Sequence, residues 1–243
     1  MHKIEELSLN AWPSLQTMVY DGWLIRFANG YTKRANSVNP IYGTSNFTER
    51  KIKYCEDLYS ERGLVPTFKM TSFAEQKNLD EVLEQKGYMT MHHTSVQMLE
   101  LTDLKQPTHP SVNIAERLTE EWFAAFCRLT QVDVNNIATV KQMLLSIIPQ
   151  TCFLALYHKQ EIIACGMGVL EEGYFGIFNV VTAINHRKQG VGEQLLLHLL
   201  KWGKENGANR AYLQVVQNNE AAIKLYMKLG FQTAYQYWFR VKQ

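Results

Sequence analysis

Long hydrophobic runs are missing from this chain. No stretch approaches the roughly 18 consecutive apolar residues needed to cross a bilayer, so no membrane-spanning role is expected. The start lacks a secretory signature: Glu5 and Glu6 fall in the first turns and no apolar core follows them. Cysteine is scarce. The four present, Cys55, Cys127, Cys152 and Cys165, are widely spaced, with no Cys-x-x-Cys and no paired histidine ligands. This excludes a disulfide framework and a zinc site, leaving free thiols in a reducing, cytoplasmic setting and no metal. An excess of one charge sign is lacking too. The 25 Lys and Arg against 23 Asp and Glu leave a formal +2, interspersed along the chain, which makes no case for a nucleic-acid binder. Apolar residues are plentiful, 46% of 243, enough for one large core or two small ones.

The second half is organised around residues 179–192. An apolar run at 177–182 reads as a buried strand, and residues 193–202 place leucines at helical spacing. Between them stands Arg187-Lys188-Gln189-Gly190-Val191-Gly192. Strand, short glycine loop and helix together point backbone N–H groups and the positive end of a helix dipole at one spot. Such a spot suits an anion, most often a phosphate. Gly190 and Gly192 have no Cβ to hold a pyrophosphate away, and Arg187 and Lys188 add positive charge. The other reading of the glycine pair is a tight turn relieved of strain. Farther on comes Asn219-Glu220-Ala221-Ala222-Ile223-Lys224-Leu225-Tyr226-Met227-Lys228-Leu229-Gly230-Phe231.

Together the two stretches resemble the GNAT acetyltransferase superfamily. Its phosphate loop reads Arg/Gln-x-x-Gly-x-Gly/Ala, and its later helix reads Asn-x-x-Ala-x-x-Leu-Tyr-x-x-x-Gly-Phe. The resemblance covers about residues 112–242. It implies an α/β (α+β) fold with a mixed, mostly antiparallel sheet flanked by helices, and acetyl-CoA as co-substrate. The pyrophosphate would lie on the amides of Gln189, Gly190, Val191 and Gly192, flanked by Arg187 and Lys188. The pantetheine arm would follow Val180, Val181 and Thr182, where a bulge splays this strand from the one at 210–216. A backbone N–H near Val180 would polarise the acetyl carbonyl. An amine would attack directly, and Tyr226, protonated at neutral pH, would serve as general acid for the departing thiolate. The alternative for Tyr226 is an ordinary half-buried tyrosine. Asn219 would cap its helix and touch the cofactor arm. The glutamate that some members use as general base falls near Gly176, which cannot act. Glu171 and Glu172 read as solvated hairpin charges and His186 as a phosphate contact or surface residue, so the base is unassigned.

The first half repeats this grammar without the chemistry. Residues 4–19 read as a helix interrupted at Pro13, and residues 22–28 and 31–38 as a hairpin around Asn29-Gly30. Asn46 and Glu49 have capping-box spacing for a helix ended by Gly63. A strand at 66–70, a helix at 78–86 ended by Gly87 and a strand at 88–99 follow. Residues 82–88 lie 143 positions before 225–231 and share their helix–glycine–aromatic order, which suggests two copies of one unit. The expected division is a degenerate GNAT-like domain at 1–103 and a GNAT domain at 111–243, joined by a connector holding Pro107 and Pro110. Residues 43–48 of the first copy, with Phe47 and no glycine pair, would make a poor pyrophosphate cradle. The polar segment 31–39 offers Arg34 and Asn36 as donors to a substrate, or else is a solvated edge strand. A second domain that walls the groove favours a small-molecule amine as acceptor. A protein or peptide amine, or a non-catalytic acyl-CoA-binding module, are the alternatives.

In the second half a strand is expected at 112–115, helices from 119 and over 136–148, and a hairpin of strands 152–157 and 162–170. After the phosphate helix come a strand at 210–216, a helix at 220–229 and a strand at 231–241 that closes the sheet.

Overall fold

The computed structural model describes residues 1–43, 48–74 and 78–242. The first helix, α1 (His2–Ala11), stops before Pro13, and residues 16–19 do not continue it. They belong to β1 (Gln16–Tyr20), which pairs antiparallel with β2 (Trp23–Phe27). The turn is Asp21-Gly22, both at positive φ, 42° and 79°. Asp-Gly is as strong a two-residue hairpin signal as Asn-Gly, and here it makes the hairpin expected at Asn29-Gly30. Asn29 and Gly30 also take positive φ, but they lead into a 3-10 turn, Lys33–Ala35, and a short strand β3 (Val38–Pro40). The polar strand expected over 31–38 is therefore reduced to its end. The Asn36 amide explains why: it accepts from the N–H groups of Ala28 and Gly30 and donates to the carbonyls of Ala28 and Thr32. Side-chain bonds of this kind compete with a strand ladder for the same backbone groups.

The rest of the first half is α2 (Thr48–Ser60), β4 (Thr67–Thr71), α3 (Leu79–Gln85) and β5 (Tyr88–Glu100). Gly63 and Gly87, at φ 63° and 82°, end the two helices as expected. The Asn46 cap and Phe47 lie outside the described residues. The second half runs β6 (Val112–Ala115), α4 (Glu120–Thr130), α5 (Ile137–Leu145), β7 (Gln150–His158), β8 (Glu161–Glu171), β9 (Tyr174–Thr182), α6 (Val191–Glu205), β10 (Arg210–Val216), α7 (Glu220–Lys228) and β11 (Gln232–Lys242). Thr119 caps α4 by accepting from Trp122 N at 3.2 Å. Helix α5 ends earlier than expected, at Leu145, where the Ser146 hydroxyl donates to the carbonyl of Met143.

Among the described residues all strands form one sheet in the order β1-β2-β3-β4-β11-β5-β10-β9-β8-β7-β6. Only β3–β4 and β9–β10 are parallel. The order is nearly palindromic: β1 to β5 of the first half correspond to β7 to β11 of the second, with α2 matching α6 and α3 matching α7. The antiparallel pair β5·β11 forms the pseudo-twofold seam. The last strands are exchanged across it. Strand β11 does not close its own half; it lies between β4 and β5, with Tyr237 opposite Thr71 and Val241 opposite Thr67. Strand β5 in return pairs with β10, from Arg210↔Glu100 to Val216↔Thr94.

Helices cover both faces. Helices α1, α4 and α5 bury Leu7, Trp122, Phe126 and Met143 on one face, against Phe178, Tyr212 and Tyr235. On the other, α6 packs Leu195 and Leu199 against Leu154, Ile177 and Leu213, and α2 and α3 pack Ile52 and Leu83 against Phe68 and Met70. The exchanged strand is also gripped by polar contacts. Asp80, at the start of α3, accepts from Arg240 Nε at 2.9 Å, Arg240 Nη2 at 2.7 Å and Trp238 Nε1 at 2.7 Å. These bonds, Arg240 foremost, hold the Asp80 carboxyl below its ordinary range. Asp80→Ala should therefore cost about 2 kcal/mol, read as a lower urea midpoint. A carboxylate depressed in the folded state stabilises above its unfolded pKa of about 4. That stabilisation disappears as pH falls through the folded value. Wild-type and Asp80→Ala midpoints should accordingly differ at pH 7 and converge in strong acid.

Candidate active site

Strands β9 and β10 pair only from Arg210↔Tyr174 to Leu213↔Ile177 and then part. The cause lies in β9. Asn179 adopts φ 54°, and the β8–β9 register slips there, from Met167↔Phe178 to Cys165↔Val181. An extra residue in one strand bends it away from its neighbour. The Asn179 amide faces Met167 Sδ at 3.3 Å. Between the parted strands opens a groove of about 320 Å³. One wall is Phe178, Asn179 and Val180; the other is Gln214, Val215, Val216 and Asn219. Tyr226 enters from α7, Thr94 and Tyr237 from the exchanged strands, and Arg34 from the first half.

The glycine loop lies at the next stretch of β9. After Thr182 a 3-10 turn, Ile184–His186, leads to Arg187, whose Nε donates to the carbonyl of Thr182 at 3.1 Å. Lys188 and Gly190 both take left-handed φ, 61° and 81°, and α6 starts at Val191 with no side chain capping it. A helix start without a cap leaves its first-turn N–H groups free for solvent or an anion. A Cβ on Gly190 would meet no atom within 4 Å, so the space above it is open. A Cβ on Gly192 would sit 3.5 Å from Thr182 Oγ1 and 3.6 Å from Leu225 Cδ2, ordinary contacts that do not demand glycine. Gly192 therefore lies beside the end of β9 and the helix carrying Tyr226. Gln189 donates to the Asn185 carbonyl at 2.9 Å, and Val191 is buried.

Tyr226 is buried, and burial pushes its phenol up to about 12, so it stays protonated at neutral pH. Asn219 caps α7, its Oδ1 accepting from Ala222 N at 3.2 Å. The structure thus gathers Val180, Asn219, Tyr226 and Arg34 around one groove. Arg187, Lys188, Gln189 and Gly190 lie exposed at the start of α6. The side chain of Val181 packs with the cluster on the opposite face from that of Val180. Asn36 does not line the groove: it is buried, and its amide is committed to the loop backbone. The pattern of residue types could not distinguish these two donors; only burial separates Asn36 from Arg34.

Three lining residues had no motif to flag them. Thr94, Gln214 and Tyr237 come together only through the strand exchange, with Tyr237 Oη donating to Gln214 Oε1 at 3.0 Å. Burial raises the Tyr237 phenol to about 12 as well. Other charged residues near the second half's hairpins lie elsewhere. Glu171 accepts from Asn10, Glu172 pairs with Lys3 at 2.6 Å, and His186 sits tilted against His158, ring centres 5.4 Å apart. Gly176 is required by packing, since a Cβ there would sit 2.5 Å from the Tyr212 hydroxyl and 2.6 Å from the Phe178 ring. Tyr212 is itself fully buried and cannot swing away. Gly176→Ala should cost about 1–3 kcal/mol through overpacking, seen as a reduced urea midpoint with an unchanged slope.

Comparison with known proteins reaches both halves. A family described as "Probable histone acetyltransferase Rv0428c C-terminal" matches residues 1–240. The chain is similar to the uncharacterized N-acetyltransferase YobR of Bacillus subtilis, at 29% identity over 251 residues, covering 100% of this chain and 99% of that protein. In fold it is similar to a GCN5-related N-acetyltransferase from Kribbella flavida, with TM-score 0.74, 15% identity and coverage of 99% and 95% of the two chains. A tandem GNAT protein from the clavulanic acid biosynthesis pathway gives TM-score 0.67 at 12% identity, with coverage of 98% and 87%. Among the described residues no group of ligands suits a metal, and no helix is long and apolar enough to cross a membrane. Because the family pattern runs through the exchanged halves and not the glycine loop alone, the whole chain belongs to this family of GNAT-type N-acetyltransferases.

Proposed function

We propose that this protein transfers the acetyl group of acetyl-CoA to the primary amine of a small molecule, by direct attack and without a covalent enzyme intermediate. The observation that carries the reading is the parting of β9 from β10 between an uncapped helix start and a buried, protonated tyrosine. Bound acetyl-CoA would supply an activated thioester. The open space at Gly190 and the uncapped amides of Gly190, Val191 and Gly192 suit its pyrophosphate, with Gln189 beside them and Arg187 and Lys188 adding charge. The backbone of Val180, Val181 and Thr182, beyond the end of the β10 ladder, would hold the pantetheine amides as a neighbouring strand would. A backbone N–H near Val180 would polarise the thioester carbonyl. As the amine nitrogen bonds to the acetyl carbon, the C–S bond breaks and its electron pair leaves on sulfur. Tyr226 donates its phenolic proton to that sulfur, the nitrogen, cationic once bonded to the acetyl carbon, gives up a proton to solvent, and the phenolate regains one from solvent. No Asp, Glu or His lines the groove among the described residues, so the acceptor's ammonium proton is assigned to solvent. Asn219 steadies the start of the Tyr226 helix at the groove's rim.

A small acceptor fits a groove of about 320 Å³ walled by both halves. A protein amine is the second reading, favoured by the family description, which names a histone acetyltransferase. A cytoplasmic setting agrees with four free cysteines.

Two substitutions test the assignment. Tyr226→Phe should lower kcat by about 10²- to 10⁴-fold while calorimetric affinity for acetyl-CoA stays the same; an unchanged kcat removes Tyr226 from the mechanism. Gly190→Val forces a β-branched side chain to a φ of 81° at the mouth of the cradle. It should abolish acetyl-CoA binding in the same titration, and undiminished binding would locate the pyrophosphate elsewhere.

A further inference from the structure

Arg34 is a half-buried cation facing the groove, and among the described residues no carboxylate pairs with it. Its position is fixed from several sides. Asn36 ties the flanking loop to itself, and the buried Arg26 donates through Nη1 to the Arg34 carbonyl at 2.8 Å. The guanidinium lies over the ring of Trp12, 4.9 Å from its centre. Trp12 is in turn buried and anchored by its Nε1 to Thr32 Oγ1 at 3.2 Å. A guanidinium stacked in this way keeps its planar fork of donors oriented.

The surroundings are electropositive. Arg34's charge bears on Lys69, Arg26 and Tyr237. The nearby carboxylate, Glu5, is already engaged by Lys69 and by the Tyr235 hydroxyl. The remaining groove side chains are neutral: Thr94, Asn179, Gln214 and Asn219 supply hydrogen bonds without charge. A polycationic acceptor or a lysine-rich tail would find no counter-charge there and would meet a fixed cation. An acceptor with an anionic group would meet an oriented fork instead.

Resting on the acetyltransferase reading above, we infer that the acceptor is a small amino-carboxylate, an amino acid or a close relative, whose carboxylate is held by Arg34 while its amine is directed toward Tyr226. A carboxylate matches the guanidinium fork with two parallel N–H···O bonds, and a compact molecule fits a groove that must also take the thioester end.

The test measures thiol release from acetyl-CoA with amino acids, their carboxamides, their aminophosphonate analogues and a polyamine. The wild-type protein should prefer each carboxylate to its carboxamide by about 10- to 100-fold in kcat/KM. Arg34→Gln should collapse that ratio to near one, while the Kd for acetyl-CoA stays within about twofold. Arg34→Lys, which keeps the charge but loses the fork, should recover part of the preference. A wild-type preference for carboxamides, polyamine or aminophosphonates overturns the proposal, as does a ratio that Arg34→Gln leaves intact. Binding of the same carboxylates and carboxamides to the CoA-loaded protein, by calorimetry, supplies a readout independent of turnover. Carboxylates that bind no better than carboxamides overturn the proposal even if acetyl transfer is found. Absent acetyl-CoA binding removes the acetyltransferase reading itself.

Discussion

A backbone N–H or carbonyl left without a partner inside a sheet is costly, yet β9 and β10 part company after Ile177 and Leu213. The groove walled by both halves opens at that interruption. It is local in origin: Asn179, in the left-handed region, inserts an extra residue into β9 and turns it from its neighbour. Asparagine tolerates that conformation better than most residues, and its side chain lies against Met167. Strand β10 does not follow β9, because its other edge is paired with β5 as far as Val216↔Thr94. One bent strand beside one straight strand makes a wedge. Its unpaired edges suit a ligand that carries amides of its own.

The exchange of β5 and β11 decides what surrounds the wedge. Were each half to keep its own last strand, the second half alone would supply the groove. Instead Thr94 arrives on β5, Tyr237 on β11 and Arg34 on the loop before β3, so the first half helps to wall the groove. The exchange rests on polar as well as apolar contacts. Glu5, Lys69 and Tyr235 form a buried cluster between α1, β4 and β11, and Asp80 holds Trp238 and Arg240. Removing a member of such a set strands its partners, so these groups enforce one seating of the exchanged strand.

Much of this was legible because the signals were local. The glycine loop, the Asn219 cap, the helix-ending Gly63 and Gly87 and the strand at 112–115 each depend on a few adjacent residues, and each was found where the residues indicated. The first 40 residues misled for the same reason. The pattern around Pro13 reads as an interrupted helix, whereas Pro13 follows the helix's end, and Asn29-Gly30 is no stronger a signal than the equally competent Asp21-Gly22. The exchange itself left no local trace. A strand's alternation tells which side chains share a face, not which neighbour takes its edges. Tyr235, Tyr237 and Phe239 could be assigned to one face of β11, but that β11 would lie beside β4 could not. Thr94, Gln214 and Tyr237 were missed as a group because their proximity exists only in the assembled sheet.

Among the described residues no carboxylate lines the groove, and at one position packing gives the reason. At Gly176, where some members of the superfamily carry a glutamate, the Tyr212 hydroxyl occupies the space a side chain would need. Tyr212 belongs to the core shared by α1 and both halves, so packing across the two halves fills this position and leaves no room for a carboxylate. Among the described residues the one charged side chain lining the groove is Arg34. The lining side chains offer an ammonium no counter-charge, which disfavours that form, so in the proposed reaction its proton would pass to solvent. Tyr226, kept protonated by burial, would still have a proton for a departing sulfur. In the proposed reaction solvent would take the amine's protons, and the phenol would supply the thiolate's.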